Sequence, residues 1–233
     1  MNPERLRVLT VIGTRPEAIK MAPVLHDLAQ RPEIDSRLCL TGQHRTMLDP
    51  VLQLFQLRPD VDLALMRPGQ DLYGLTTAVL TALQPVLATE RPHLVLVQGD
   101  TTTAFAAALS AFYAHIPVAH VEAGLRTGDL AAPFPEEGNR VLISQLAALH
   151  FAPTSLARDH LLAAAVDPRR VHVTGNTVID ALFWMRRQLD SLDPASWREL
   201  FGAAWPRLLD PAARILLVTG HRRENFGQGF ENI

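Results

Sequence analysis

One unit occurs four times along the chain and constrains the fold more than any other feature. In each copy an apolar β-type run ends at a glycine or another small residue, and charged or hydroxyl side chains follow at once. The copies are VLTVIGTRPEAIK (8–20), LVLVQGDTTT (94–103), VAHVEAGLRTGD (118–129) and ILLVTGHRREN (215–225). In open α/β sheets the carboxyl ends of the strands form the ligand crevice. The pattern therefore predicts a doubly wound parallel sheet whose binding face contains Arg15, Lys20, Asp100, Glu122, Glu136 and His221.

Between these units, short β-branched runs alternate with helical patterns, which is the rhythm of βαβ units. A stripe from Leu72 to Leu87, followed by Pro92, predicts one helix, and the alanine-rich segment from Thr102 to Tyr113 predicts another. Strands are predicted near 6–12, 36–41, 61–65, 93–98, 117–122, 149–152, 171–174 and 214–219.

The rhythm loosens after Asp180, and this change predicts the domain organisation. We expect residues 1–180 to form a Rossmann-like domain and residues 181–213, which contain three prolines, to form linking helices. A new strand at 214–219 then predicts that residues 214–233 open a second domain, truncated at Ile233. The apolar residues of that strand would have no core to join, so this tail is expected to be mobile or prone to aggregation.

Composition narrows the classes of function. A net charge of -2 and a pI near 6.5 argue against a nucleic-acid partner, because such interfaces are strongly basic. The single cysteine, Cys39, lies in an apolar run and is predicted to be a buried hydrophobe. The apolar run near the start, Val8 to Ile12, is too short for a signal peptide or a membrane span. These observations predict a cytoplasmic protein with no membrane anchor.

No motif for a common cofactor is present. The sequence has no G-x-G-x-x-G after the first strand and no G-x-x-x-x-G-K-[ST] anywhere, so neither a nicotinamide nor a P-loop nucleotide is expected. His44, His221 and the carboxylates are far apart in sequence, and no metal site is predicted. We therefore expect no cofactor.

The two cations near the first strand have two interpretations. Arg15 and Lys20 flank Pro16, which is typical of a first helical turn, so both lie near a helix start. An anion at the backbone N–H groups, most naturally a phosphate, would offset the unfavourable position of cations at that end of a helix. Alternatively, Arg15 is a solvated loop residue and Lys20 pairs with Glu17.

The other candidates also have structural alternatives. Asp100 resembles a carboxylate at a helix N-terminus, and Glu136 with Glu137 resembles a first-turn pair that opens a helix over 136–148. Glu122 interrupts an apolar strand end, where a carboxylate needs a partner or has an elevated pKa. His221, with two arginines after it, is either an exposed basic turn or a second phosphate-binding group.

These segments resemble the bacterial non-hydrolysing UDP-N-acetylglucosamine 2-epimerases, in the same order from about Val8 to the last residue. The matching segments are GTRPEAIKMAPV (13–24), TGQHRTMLD (41–49), QGDTTT (98–103), HVEAGLRTGD (120–129), PFPEEGNR (133–140), TGNTVIDAL (174–182) and TGHRRENFG (219–227). The resemblance implies a GT-B fold, in which two Rossmann-like domains face each other across a cleft for the UDP-sugar. This chain would carry the first domain and only the opening of the second.

The resemblance also implies an activity. UDP-N-acetylglucosamine would be converted to UDP-N-acetylmannosamine by elimination and re-addition of UDP, a step in cell-envelope polysaccharide biosynthesis. Inversion at one carbon needs proton-transfer groups on two faces, and by resemblance these are Asp100, Glu122 and Glu136. His221 with Arg15 would stabilise the leaving diphosphate, and Lys20 would bind substrate. Which carboxylate is base and which is acid stays open.

Further properties of the family follow from the same matches. Gln43, His44 and Gln70 correspond to positions where some members bind a second substrate molecule as an allosteric activator, although Gly69 stands where some of them have arginine. A homodimer is expected for the full-length protein. Two alternatives to the epimerase are a GT-B glycosyltransferase and a catalytically silent fragment, and the isolated chain is predicted to be inactive.

Overall fold

A computed structural model describes residues 5–42, 45–65, 67, 69–190 and 193–216 of the chain. Its centre is one sheet of seven parallel strands in the order β3-β2-β1-β4-β5-β6-β7. The order reverses between β1 and β4, as it does in doubly wound nucleotide-binding folds. The strands are β1 (Leu6–Ile12), β2 (Ile34–Leu40), β3 (Val61–Asp62), β4 (Leu94–Gln98), β5 (Val118–Val121), β6 (Leu149–Ala152) and β7 (Val171–Val173).

Helices connect successive strands and cover both faces of the sheet. They are α1 (Arg15–Ala29), α2 (Arg45–Leu54), α3 (Leu72–Glu90), α4 (Thr102–Tyr113), α5 (Glu136–Leu146), α6 (Ser155–Ala163), α7 (Thr177–Asp190), α8 (Pro194–Phe201) and α9 (Trp205–Leu208). Short 3₁₀ turns occur at Pro168–Arg170 and Gly202–Ala204. The Thr101 and Thr154 hydroxyls cap α4 and α6 by accepting from the backbone N–H groups of Ala104 and Ala157, at 3.0 and 3.1 Å.

Two apolar layers enclose the sheet because alternate residues of a strand point to opposite faces. On one face Val8 and Ile12 of β1 pack with α1 and α2, whereas Leu9 and Val11 pack on the other face with α3 and α4. Since both faces are buried, the central strands are mostly apolar, with buried exceptions such as Thr10, Gln98 and His120.

Helix α3 is unusually apolar for its position. Its 19 residues have a mean hydropathy of 1.3, enough in length and composition to cross a membrane. Core helices of globular proteins pass the same test, and Val79, Leu83 and Leu87 of α3 are buried in the core. Most of its remaining surface is not buried in this chain.

The prediction of a parallel α/β sheet is confirmed, with seven of the eight strands in place. The bounds of β1 and β6 are as predicted, those of β2, β4, β5 and β7 differ by one or two residues, and β3 has two residues rather than five. The eighth strand, at 214–219, is not assigned at residues 214–216, and residues 217–219 lie outside the described part. Helix α4 has the predicted bounds, and α5 ends two residues earlier than predicted.

The described residues form two compact units, one ending at Met185 and a smaller one beginning at Arg186. The second unit contains α8 and α9, and the rings of Trp197, Phe201 and Trp205 stack on one another with centroids 5.8–6.1 Å apart. Linking helices were predicted over 181–213, and helical segments fill much of that stretch. The division into domains at 180 and 213 stays a prediction.

Candidate active site

The carboxyl ends of β1, β4 and β5 lie side by side at one edge of the sheet. Gly13 and Thr14 follow β1, Gly99 and Asp100 follow β4, and Glu122 follows β5. A Cβ on Gly13 would lie 2.6 Å from the Thr103 hydroxyl, so only glycine permits this close approach of the first turn to α4. Polar groups from three strands therefore converge where such folds bind ligands.

Glu122 occupies a strained turn rather than the strand. Its φ of 64° lies in the left-handed region, which ends β5 one residue before the predicted position. The expectation that Glu122 lies within the strand is thus wrong, although its side chain is only 11% exposed. Left-handed backbone at a residue other than glycine is unfavourable, and residues held in this way are frequent at functional sites.

The carboxylate of Glu122 is surrounded by hydrogen-bond donors. Lys20 Nζ contacts Oε1 at 2.8 Å and Oε2 at 2.6 Å, although 102 residues separate the two side chains in sequence. The side-chain amide of Gln98 donates to Oε2, and that of Asn176 donates to Oε1 at 3.4 Å. These contacts supply the partner that a largely buried carboxylate requires.

Asp100 lies next to this group. A Cβ on Gly99 would be 3.7 Å from Glu122 Oε2, so the backbone immediately before Asp100 passes close to the Glu122 carboxylate. Burial raises the pKa of Asp100, the Arg140 guanidinium opposes that effect, and the charges of Glu122 and Glu136 add to it. Arg140 Nη2 contacts Asp100 Oδ2 at 2.9 Å. The charges of Glu122 and Glu136 therefore both reach Asp100.

The two glutamates that open α5 have different surroundings. Glu136 is half-buried. Glu137 is buried and accepts from the backbone N–H groups of Thr127 and Gly128, both at 3.1 Å, while Arg140 Nε lies 3.4 Å away. Although burial acts against it, these donors lower the pKa of Glu137. Glu137 therefore anchors the loop after β5, whereas the charge of Glu136 acts on Asp100.

At the start of α1, the proposed pairing of Lys20 with Glu17 is wrong. Glu17 is buried and accepts from the backbone N–H groups of Gly13 and Thr14, at 2.8 and 2.6 Å, and from the Thr101 hydroxyl at 2.6 Å. Burial raises its pKa despite these bonds. Two of the N–H groups that a phosphate was expected to use are thus occupied by a side chain. Arg15 is exposed, as its solvated alternative predicted, but it is the first residue of α1 rather than a loop residue, and its side chain has no hydrogen-bond partner among the described residues.

Several predicted residues lie elsewhere or outside the described ranges. His221, Gln43 and His44 are outside them. Gln70 is half-buried just before α3, and nothing in the described ranges connects it with the carboxylates. Within those ranges no group of three or more His, Cys, Asp or Glu side chains could hold a metal ion. Cys39 is buried as predicted, and burial raises the pKa of its thiol to about 12.

Four residues that hold Asp100 or Glu122 were not predicted from the sequence: Gln98, Arg140 and Asn176, which contact a carboxylate, and Asn139, which donates to the Asp100 backbone carbonyl. Gln98 carries a recognisable signal, because it is a polar residue at the end of an apolar strand. Arg140 carries a second signal, since it lies four residues after Glu136 on the same helical face. Asn139 and Asn176 reach the site only through tertiary packing.

The chain matches a known family over most of its length. A family model described as UDP-N-acetylglucosamine 2-epimerase covers residues 26–233. The curated UDP-N-acetylglucosamine 2-epimerase of Escherichia coli O157:H7 is 55% identical over 228 residues, and that of Neisseria meningitidis serogroup A is 50% identical over the same length. Each match includes 98% of this chain and 60% of the relative, so the chain spans about 60% of the length of these relatives.

Solved structures give the same result. The Neisseria meningitidis UDP-GlcNAc 2-epimerase bound to UDP-GlcNAc has a TM-score of 0.89 at 49% identity, over 97% of this chain and 60% of that one. An apo lipopolysaccharide outer core galactosyltransferase has a TM-score of 0.50 at 12% identity, over 73% of this chain and 45% of that one. The second likeness is one of fold alone, and it extends the comparison to a glycosyltransferase.

Proposed function

Because the chain belongs to the UDP-N-acetylglucosamine 2-epimerase family, we propose that the protein containing it interconverts UDP-N-acetylglucosamine and UDP-N-acetylmannosamine. The observation that carries the proposal is the cluster of Asp100, Glu122 and Glu136 at the carboxyl edge of the sheet. An inversion at carbon requires groups that remove a proton from one face and deliver one to the other.

The chemistry explains why several carboxylates are needed. The hydrogen on sugar carbon 2 is not acidic, so it is removed only as the bond from carbon 1 to the diphosphate oxygen breaks. A base takes the proton, the C–H electron pair forms a C1=C2 double bond, and UDP leaves with the C–O electron pair. Protonation of carbon 2 on the opposite face and re-addition of UDP to carbon 1 complete the inversion. No electrons are gained or lost overall, so the reaction needs no redox cofactor.

The surroundings of the carboxylates suggest separate roles. Glu122 accepts hydrogen bonds from Lys20, Gln98 and Asn176, which hold its carboxylate oxygens in a fixed position and so suit a group that removes a proton. Burial and neighbouring carboxylates raise the pKa of Asp100, which suits a group that carries a proton. In the direction from UDP-N-acetylglucosamine, we therefore assign proton removal to Glu122 and proton delivery to Asp100, with Glu136 assisting transfer.

Other residues would bind the substrate. Lys20 contacts Glu122, and its charge partly opposes the rise in the pKa of Asp100 caused by burial, so the ammonium lies beside both carboxylates, where it can bind a sugar or phosphate oxygen. Arg15 is exposed at the start of α1 and can reach an anion in the crevice. By family resemblance His221 would act with Arg15 on the leaving diphosphate.

Regulation and assembly are also proposed from the family resemblance. Gln43, His44 and Gln70 would hold an activating second substrate molecule. A homodimer is supported by the exposed apolar side chains of Phe112 and Tyr113 at the end of α4, whose ring centroids are 6.2 Å apart, since exposed apolar clusters mark interaction sites. Sedimentation equilibrium should give twice the chain mass, and a monomer at micromolar concentration would contradict the dimer. A cytoplasmic location follows from the nucleotide-sugar substrate and stays a prediction.

The activity can be tested in a completed chain, defined as this sequence joined to the part of the Escherichia coli relative that it does not cover. Incubation with UDP-N-acetylglucosamine in D₂O should yield UDP-N-acetylmannosamine labelled at carbon 2, resolved by NMR. A glycosyltransferase would instead release UDP only with an acceptor sugar. If the completed chain folds and produces neither the second epimer nor carbon-2 deuterium, the proposal is wrong.

A further inference from the structure

We propose that His120 and Asn139 are positioning residues that hold the Asp100 backbone on both sides of its Cα. This inference rests on the proposed function, in which Asp100 transfers a proton. Within the described part of the chain, neither residue forms a hydrogen bond with the carboxylate of Glu122 or Glu136. Each instead bonds to one of the two carbonyl groups that flank Asp100 Cα, and together they fix both peptide planes that meet there.

His120 fixes the plane before Asp100. It lies on β5, is fully buried, and its Nε2 is 2.7 Å from the Gly99 carbonyl oxygen. Since a carbonyl can only accept, Nε2 carries the hydrogen and donates it. Burial lowers the pKa of His120 to about 4, so the ring is neutral near pH 7. Its Nδ1 is buried and has no hydrogen-bond partner among the described residues. Of its two ring nitrogens, only the one that holds Gly99 is used.

Gly99 is a residue that needs such a restraint. Its φ is 71°, and glycine has access to more backbone conformations than any other residue. Its N–H donates to the Val121 carbonyl at 3.0 Å, which fixes the peptide plane on its amino side. The carbonyl on its other side begins the peptide that carries the Asp100 nitrogen, and His120 holds it. Without that bond, rotation about the flexible glycine would shift the carboxylate.

Asn139 fixes the plane after Asp100. It is a buried residue of α5, and its Nδ2 donates to the Asp100 carbonyl oxygen at 2.8 Å. The next residue of the helix, Arg140, contacts the Asp100 carboxylate itself. Helix α5 thus holds both the backbone and the side chain of Asp100, while β5 holds the turn that precedes it.

The expected effect is on turnover rather than on substrate affinity. Displacing a reacting group by about 1 Å can cost about a hundredfold in rate. Loss of the His120 or Asn139 donor should therefore lower kcat by roughly 10- to 100-fold, with KM within about threefold of the parent, because neither side chain is proposed to bind substrate.

The test uses four variants of the completed chain. His120→Met removes the donor at similar length, whereas His120→Gln places an amide N–H near the position of Nε2. Asn139→Ala removes the second donor with a good helix former, so it carries little risk to folding. The matched control is His150→Met, because His150 is the cross-strand neighbour of His120, equally buried, and hydrogen-bonds to the Ala147 backbone instead.

If the proposal is right, His120→Met and Asn139→Ala lose turnover, His120→Gln recovers it, and His150→Met loses stability only. It is overturned if Asn139→Ala, or a folded His120→Met, keeps kcat within about threefold of the parent. It is also overturned if His120→Gln loses as much turnover as His120→Met, since a role in packing alone would give that result. A parent that lacks activity would contradict the proposed function instead, and the parent's turnover separates the two failures.

Discussion

Replacing Glu122 with glutamine should abolish its proton transfer while leaving the site assembled. Glutamine has the same shape, and its amide oxygen can still accept from Lys20 Nζ, which lies 2.6–2.8 Å from the carboxylate. The amide nitrogen, however, cannot take a proton from carbon. It also faces donors from Gln98 or Asn176, so the variant loses one acceptor as well as the negative charge.

For Glu122→Gln, both the loss of turnover and the loss of stability can be estimated. A positioned acid or base contributes about 10²- to 10⁴-fold, so turnover should fall at least about a hundredfold, or about 3 kcal/mol in activation free energy. The side chains of Lys20 and Glu122 are 25% and 11% exposed. Breaking a fully buried pair costs about 3–5 kcal/mol and an exposed one about 1 or less, so about 1–3 kcal/mol of stability should be lost here.

The assay is deuterium incorporation at sugar carbon 2 under saturating substrate, measured in the completed chain. Asp35→Asn is the matched control. Asp35 is 19% exposed and contacts Arg7 and Arg37 at 2.7 and 3.0 Å, near the amino end of β2. It should lose comparable stability without losing turnover, because it lies at the opposite edge of the sheet from the carboxylates.

Together, Glu122→Gln and Asp35→Asn test whether Glu122 is the base. If Glu122→Gln incorporates deuterium within about threefold of the parent rate, Glu122 is not the base and the assignment fails. If Asp35→Asn loses turnover as severely as Glu122→Gln, the loss reflects general destabilisation rather than chemistry. A rise in KM with unchanged kcat would instead make Glu122 a substrate-binding residue.

Burial lowers the pKa values of His120 and His150 to about 4 from 6.5, so the folded protein binds fewer protons than the unfolded chain between these values. The free energy of unfolding should therefore fall as pH falls from about 6.5 to 4, by up to about 3 kcal/mol per histidine, and His150→Met should flatten that fall in urea titrations; an unchanged slope would contradict it. Glu136→Gln should lower turnover about a hundredfold with little change in Tm, whereas Glu137→Gln should lose about 1–3 kcal/mol of stability by weakening its bonds to the loop, and the reverse pattern would exchange their roles. The isolated 233-residue chain, which spans about 60% of the length of its curated relatives, should not epimerise UDP-N-acetylglucosamine, and NMR-detected conversion above the protein-free blank would disprove this.

The fold could be predicted from the sequence because the evidence for it is local. A parallel strand buried on both faces has to be an apolar run, and each run ends where a turn residue and a helix cap begin. Strand ends were less accurate for an equally local reason. Glu122 adopts a left-handed backbone conformation that residues other than glycine ordinarily avoid, and its neighbouring residues in the sequence do not indicate that conformation.

The contacts within the site could not be predicted, because they depend on which of several plausible partners is closest in space. Glu17 is the natural partner of Lys20 at helical spacing, yet Glu17 turns back to the N–H groups before its own helix. Lys20 is then free to reach Glu122 across more than a hundred residues. The capping interaction of Glu17 thus determines which carboxylate pairs with Lys20. That outcome depends on the tertiary structure.

The adjacent residues Glu136 and Glu137 are a second case in which the sequence alone does not determine side-chain contacts. Successive residues of a helix point about 100° apart, so Glu136 and Glu137 cannot share an environment. The sequence places both in the first turn but does not fix the rotation of the helix about its axis. That rotation is set by the burial of Ile143 and by the bonds of Asn139 and Arg140 to Asp100. The contacts that hold Asp100 in place are therefore also those that direct Glu137 into the loop and leave Glu136 close enough for its charge to act on Asp100.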